Sequence, residues 1–236
     1  AEDGIRDTNS GLVGSEMFIR DRNTTLRDTA ASISVWTQEF IDDTGFNTVE
    51  ELIRYSTNTV IDTADAGGSP FFNTFTNAAN GLQPVRTRGI RASQGIDFFK
   101  AIIPNDNYTI GRDDDSRGPN GVLFGVSEAG GIINQTSLQA NLIKDSGRLR
   151  YGFGSNDRNR AEFRLNKVLI KGKLAATVAG VYQDNGHWRD FATDEKKRIY
   201  GAMKWQVNEK ITLRVNAEEG NEHRTTVQPT TPTDEG

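Results

Sequence analysis

Four stretches in the last third of the chain alternate apolar and polar residues over eight or more positions, and this limits the fold more tightly than anything else in the sequence. In residues 211–218, Ile211, Leu213, Val215 and Ala217 fall on one face, and Thr212, Arg214, Asn216 and Glu218 on the other. In residues 198–207, Ile199, Gly201, Met203, Trp205 and Val207 oppose Tyr200, Ala202, Lys204 and Gln206. Residues 174–182 set Leu174, Ala176, Val178, Gly180 and Tyr182 against Ala175, Thr177, Ala179 and Val181. In residues 161–169, Phe163, Leu165 and Leu169 oppose Glu162, Arg164 and Asn166. A period of two is the period of a strand, because successive side chains point to opposite faces. Asn156-Asp157, Lys171-Gly172 and Asn208-Glu209 stand where turns between such strands are expected. A longer loop, residues 184–195, carries Trp188 and Phe191.

Strands of roughly ten residues with one apolar face suit a transmembrane β-barrel, whose apolar side chains meet lipid. They also suit a soluble antiparallel sheet with one wet face. Strand length, with tyrosine and tryptophan near strand ends, favours the barrel. The two readings differ in one observable. In a soluble module the apolar faces of residues 161–218 pack on a core within the chain; in a barrel they form a continuous outward band.

The first part of the chain has a different, α+β character. Residues 1–28 are polar apart from Met17-Phe18-Ile19 and read as an extended lead-in. Ser32-Ile33-Ser34-Val35-Trp36 alternates as a strand. Thr37 can cap a short helix through Phe40-Ile41 that Gly45 ends. Val49, Leu52 and Ile53 recur at helical spacing, so residues 48–55 are expected to be helical, with a capping box at Asn47-Thr48-Val49-Glu50. Residues 56–84 read as a long loop, with Phe71, Phe72 and Phe75 available to pin it. Val85-Arg86-Thr87-Arg88-Gly89-Ile90 reads as one strand. Residues 98–104 form an apolar patch, and residues 225–236 are rich in Thr and Pro.

Composition removes several classes. The net charge is −4, so no global basic field invites nucleic acid. The longest apolar run, residues 174–182, is far short of the roughly 20 residues of a spanning helix. The absence of cysteine removes disulfides, thiolate catalysis and cysteine metal sites together. Ala1-Glu2-Asp3-Gly4 has neither a basic nor an apolar leader region, so the chain is expected to be cytoplasmic, already processed, or a fragment.

The glycine-rich stretch from Arg117 to Asn134 could be a ligand cradle or a set of tight backbone crossings. Gly125-Val126-Ser127-Glu128-Ala129-Gly130 misses the nucleophile elbow by one residue. Gly125 to Gly130 has P-loop spacing, but Gly131 stands where the lysine belongs. Asp113, Asp115 and Gly118 fit part of a calcium loop that Arg117 and Phe124 break, so Asp113-Asp114-Asp115 reads as a solvated turn. His187 and His223 sit in or beside loops without ligand spacing. No catalytic residue, metal site or cofactor is expected. An enzyme using Asp113–Asp115 or His187 would need those groups to converge, and they are expected to lie apart.

Taken in order, these stretches resemble the TonB-dependent receptors of Gram-negative outer membranes, from about Leu26 to Glu219. The resemblance is carried by residues 26–35 (Leu-Arg-Asp-Thr-Ala-Ala-Ser-Ile-Ser-Val), Phe40-Ile41-Asp42-Asp43-Thr44-Gly45, Val49-Glu50-Glu51-Leu52 and residues 85–90. It ends with Arg117-Gly118-Pro119-Asn120 through Gly125 and Gly130-Gly131-Ile132-Ile133-Asn134. It implies an α+β plug domain, a small mixed sheet with short helices, followed by antiparallel transmembrane strands of an incomplete β-barrel. Barrels of this kind have about 22 strands and a plugged lumen. The implied organisation is a lead-in over residues 1–25, a plug over 26–143 and the first barrel strands over 144–236. The implied function is TonB-dependent transport of a ligand such as an iron–siderophore complex, with TonB, ExbB and ExbD as partners and outer-membrane lipid around the strands. The alternative is a soluble secreted or periplasmic β-rich binding module. Arg88, Gly89, Arg117, Gly118, Pro119, Asn120, Gly125, Gly130, Gly131 and Asn134 become structural positions of the plug. Arg86 and Arg91 are the candidates to face an anionic ligand. The family keeps an apolar strand where this chain has Asp113-Asp114-Asp115, and carboxylates buried there need partners.

Overall fold

A computed structural model describes residues 16–19, 22–25, 32–61, 85–101, 105–118, 127–155, 157–186 and 193–225. The long strands dominate it. A five-stranded antiparallel sheet runs in sequence order through β10 (Ser146–Gly154), β11 (Arg158–Ile170), β12 (Leu174–Gly186), β13 (Thr193–Gln206) and β14 (Thr212–Arg224). Neighbours pair along nearly their whole lengths, from Asn159↔Asp184 to Ile170↔Leu174 between β11 and β12 and from Leu174↔Trp205 to Gly186↔Thr193 between β12 and β13. The turns at Lys171-Gly172 and Asn208-Glu209 fall between strands as expected. Strands β12 and β13 run further into the expected 184–195 loop, to Gly186 and from Thr193; Trp188 and Phe191 lie outside the described residues.

A second, seven-stranded sheet is mixed. Its order is β3 (Ser32–Thr37), β8 (Ile110–Arg117), β9 (Gly131–Ser137), β6 (Ile90–Ile96), β5 (Val85–Thr87) and β4 (Thr59–Ile61), with β7 (Phe99–Lys100) paired to β6. All pairings are antiparallel except β6 with β9. Helices α1 (Gln38–Thr44) and α2 (Val49–Ile53) cover one face. There, Trp36, Ile41, Leu52 and Ile110 form one apolar cluster, and Val49, Ile53, Val85, Ala92 and Ile133 another.

The local chemistry explains α1. The Thr37 hydroxyl accepts from the Phe40 N–H, and Gly45 ends the helix at φ 71°, donating to the Ile41 carbonyl. The second helix is shorter than the expected 48–55, and Thr48 makes no side-chain cap. Glu51 instead accepts from the Asn47 N–H at 2.6 Å, reaching one residue beyond the usual box.

Four expectations need correction. The lead-in contains an antiparallel hairpin of β1 (Glu16–Ile19) and β2 (Arg22–Thr25). Part of the expected 56–84 loop is β4, paired with β5; Phe71, Phe72 and Phe75 lie outside the described residues. Residues 85–90 are not one strand but β5, a two-residue turn with Arg88 at φ 54° and Gly89 at φ 79°, and the first residue of β6. Finally, Asp113-Asp114-Asp115 is no solvated turn. It is the buried middle of β8, in the interior of the sheet between β3 and β9.

Candidate functional site: the interface between the two sheets

The five long strands turn their apolar faces outward. Leu149, Tyr151, Phe153, Phe163, Leu165 and Leu169 on β10 and β11 are exposed, Phe153 by 83%. Val178, Tyr182, Ile199, Met203, Trp205, Leu213 and Val215 continue the band across β12, β13 and β14. A contiguous apolar band of this kind does not face water in a soluble monomer. The soluble-module reading required these side chains to pack on a core, and they do not.

The opposite face meets the seven-stranded sheet. On β12 it is built of small residues, and Tyr108 and Leu138 pack there against Ala179, Val181, Tyr200 and Ala202. The Tyr200 hydroxyl donates to the Leu138 carbonyl at 2.7 Å, and the Tyr108 hydroxyl to Glu218 at 2.7 Å. Burial and the Glu218 carboxylate push the Tyr108 phenol well above its ordinary range.

Two carboxylates anchor the contact. Asp106 is fully buried at the start of a 3-10 turn, Asn107–Thr109, whose Tyr108 N–H it caps at 3.2 Å. Arg160 donates to both its oxygens, at 2.6 and 3.0 Å, and Lys196 to one of them at 3.0 Å. Burial works to raise the Asp106 carboxyl, but the two cations together hold it below the usual carboxylate range. Arg160 also donates to Gln183 at 2.8 Å and Glu162 at 2.9 Å, and Glu162 pairs with Arg150, which in turn donates to Asn47.

Asp42, on α1, repeats the pattern. It pairs with Arg148 at 2.5 Å and Arg164 at 3.2 Å. Arg148 and Arg164 stand directly opposite each other in the β10–β11 register. Like charges directly opposite destabilise a sheet, and a carboxylate between them offsets that. Among the described residues, then, each of these aspartates bridges two cations of the five-stranded wall.

The described parts of the glycine-rich stretch lie elsewhere, at the end of β8 and the start of β9. Gly118 donates to the Gly130 carbonyl at 3.0 Å, and Gly130 to the Arg91 carbonyl at 2.9 Å. Gly131 has φ 117°, and a Cβ there would sit 2.1 Å from the Ser116 carbonyl oxygen, so only glycine fits. Asn134 accepts from the Phe98 N–H at 2.7 Å. Arg117 bonds Asp115 at 3.2 Å, Ser32 at 3.1 Å and Ser34. Arg86 and Arg91 face each other across the β5–β6 hairpin; Arg86 donates to the Gly89 carbonyl at 3.2 Å and Arg91 lies 4.0 Å from Glu128. Pro119, Asn120 and Gly125 lie outside the described residues. The Asp106 and Asp42 network, which the sequence reading missed, is built from other residues: Arg160, Lys196, Arg148 and Arg164.

No group of three or more metal-ligating side chains occurs among the described residues. His223 is exposed on β14, on a different sheet from Asp113–Asp115, and His187 lies outside the described residues. No protein-family profile matches the chain. It is similar to the ferrioxamine receptor of Yersinia enterocolitica, 25% identical over 194 residues, which cover 80% of this chain and 26% of that protein. It is also similar to the ferripyoverdine receptor of Pseudomonas aeruginosa, 23% identical over 82% of this chain and 23% of that one. The chain thus spans about a quarter of the length of these curated relatives. Its fold matches the outer-membrane ferripyoverdine receptor of P. aeruginosa with a TM-score of 0.73, at 20% identity, over 89% of this chain and 27% of that one. It matches the closed ferric-catecholate import receptor of E. coli with a TM-score of 0.72, at 17% identity, over 86% of this chain and 28% of that one. These relatives are receptors and not enzymes, in keeping with a chain expected to catalyse no reaction. An apolar outer band, a polar inner wall and a mixed sheet docked on that wall give the chain the fold of these outer-membrane receptors, a plug with strands of its barrel.

Proposed function

We propose that the chain forms the gate and part of the wall of a transporter that carries a ferric siderophore across the outer membrane, powered through TonB with ExbB and ExbD. The observation that carries this reading is the two-sidedness of the five-stranded sheet. Its outer band suits lipid, and its inner wall holds a plug through the Asp106 and Asp42 ion pairs. Relatives named for ferrioxamine and ferripyoverdine support the substrate class.

In this reading the plug covers residues 26–143, the strands belong to residues 144–236, and residues 1–25 lead in. Arg88, Gly89, Arg117, Gly118, Pro119, Asn120, Gly125, Gly130, Gly131 and Asn134 shape the plug backbone, and Arg86 and Arg91 are offered to an anionic ligand. The test is uptake of radiolabelled iron, presented as ferrioxamine or ferripyoverdine, by cells whose only such receptor carries this chain. Uptake that disappears when TonB is deleted supports the reading. Uptake unaffected by TonB loss, or no uptake of any ferric siderophore by a correctly inserted receptor, overturns it.

A further inference from the structure

Strand β8 carries three consecutive buried aspartates, and two of them have an arginine partner, although burial still holds the Asp114 carboxyl above its usual range. Asp114 pairs with Arg112 at 2.9 and 3.1 Å, and Asp115 with Arg117 at 3.2 Å. Each arginine is two residues from its carboxylate, on the same face of the strand. Asp115 also accepts from Ser56 and from Thr59 at 3.3 Å. Asp113 has no such neighbour. Two positions before it stands Gly111 and two after it Asp115. It is fully buried, neither carboxylate oxygen meets a donor at full hydrogen-bonding geometry, and the Gln135 side chain is the one polar group that favours its charge.

The elements around Asp113 supply no cation. Its register partners are Trp36 on β3 and Gln135 on β9. The Gln135 amide donates to Asn107 Oδ1 at 3.3 Å. Helices α1 and α2 bring Ile41 and Leu52 to the apolar cluster around Trp36. Of their titratable groups, Asp42 is held by Arg148 and Arg164, and Glu51 accepts from the Asn47 N–H. In the 3-10 turn, Asp106 is held by Arg160 and Lys196, and Tyr108 by Glu218. On its own strand, Asp115 is neutralised by Arg117, and Asp114 is the one charge that acts on Asp113. An isolated carboxylate in such a place takes up a proton rather than bear the cost of its charge.

We infer that Asp113 is a proton-binding site at the centre of the plug sheet, so that opening the β3–β8–β9 ladder to water releases one proton. The step is an acid dissociation: the O–H bond of the carboxylic acid breaks, the electron pair stays on the carboxylate, and the proton passes to water. Burial raises the closed-state carboxyl to about 8, Gln135 opposing and Asp114 adding to the rise, whereas in the opened strand it returns towards 3.8. Between those two values each pH unit favours the open form by about tenfold. This follows from the plug sheet itself and holds whatever ligand the receptor carries.

The test uses the receptor folded in detergent with its barrel, as wild type and as Asp113→Asn. Amide exchange in β8 and β9, corrected for its intrinsic pH dependence, should report opening that rises about a hundredfold from pH 5 to pH 7 in the wild type. The asparagine variant should lack that rise. The infrared carbonyl stretch of a protonated carboxylic acid should be present at pH 6 and missing from the variant. Asp113→Leu provides a second neutral side chain should asparagine disturb the sheet. An unchanged pH slope in both variants, or no protonated-acid band assignable to Asp113, overturns the inference.

Discussion

Replacing Asp106 by alanine should loosen the plug while leaving the strands assembled. The substitution removes the shared carboxylate of two cations, Arg160 and Lys196, whose side chains are only 4% and 9% exposed. It leaves Arg160 with Glu162 and Lys196 with Glu222 at 3.9 Å, so the lower end of the usual range applies. Breaking a buried ion pair by removing one partner costs about 3–5 kcal/mol, because the survivor stays desolvated without compensation. The exposed apolar band and the cross-strand ladders do not involve Asp106, so the cost falls on docking. At about 1.4 kcal/mol per factor of ten, exchange of the amides in the 3-10 turn should rise by about a hundredfold or more. Hydrogen exchange on the detergent-folded receptor measures this directly. Asp106→Asn keeps an acceptor for the Tyr108 N–H but not the charge, and should fall between wild type and alanine. Replacing Arg160 and Lys196 by methionine in the alanine background should recover much of the loss, since apolar substitutes for a buried ionic cluster are often tolerated. Exchange within about threefold of wild type in Asp106→Ala would refute the assignment of Asp106 as the anchor.

Gly131→Ala should destabilise the plug by about 1–3 kcal/mol or more, from backbone strain at φ 117° together with the clash on the Ser116 carbonyl, seen as a lower midpoint in denaturant-induced plug release. Leu165→Arg, in the middle of the exposed band on β11, should cost about 2–4 kcal/mol on folding into bilayers if that face meets lipid; a cost within about 0.5 kcal/mol would remove lipid from the picture. Plug stability should peak near about pH 4, because two groups oppose each other. The lowered carboxyl of Asp106 contributes stability that is present above about pH 4 and is lost as pH falls through its depressed value. The raised carboxyl of Asp113 leaves stability untouched below 3.8 and erodes it as pH rises towards about 8, and a circular-dichroism melt series across that window checks both limbs.

The long strands were legible because their signal is local and repeated. Each carries its period of two over a dozen positions, and the turns between them use ordinary turn residues. The short plug strands were harder. Strands β5 and β6 read as one because Arg88-Gly89 lacks the Asn-Gly signature of a tight hairpin, although both residues adopt positive φ. The aspartate run read as a turn on composition alone. A better signal was present in the flanks: Arg112 and Asp114, and Asp115 and Arg117, are spaced to meet only if the segment is extended. Asp106 gave no local signal, because its partners lie 54 and 90 residues further along the chain.

The inner wall shows why a strand's polar face cannot be assigned from its own sequence. Arg148 opposite Arg164 is an unfavourable cross-strand pair, and Arg160 and Lys196 converge from β11 and β13 on a single carboxylate. Taken alone, this wall leaves Arg148 facing Arg164 and gives Arg160 and Lys196 only Glu162 and Glu222, each shared with another arginine. Taken with the plug, Asp42 and Asp106 supply the missing charge at the points of convergence. The cations of the wall and the aspartates of the plug are therefore one electrostatic unit split between two sheets. A rearrangement that withdraws either aspartate must rehydrate two cations at once, so the docked plug resists small displacements and yields when water can reach the whole cluster.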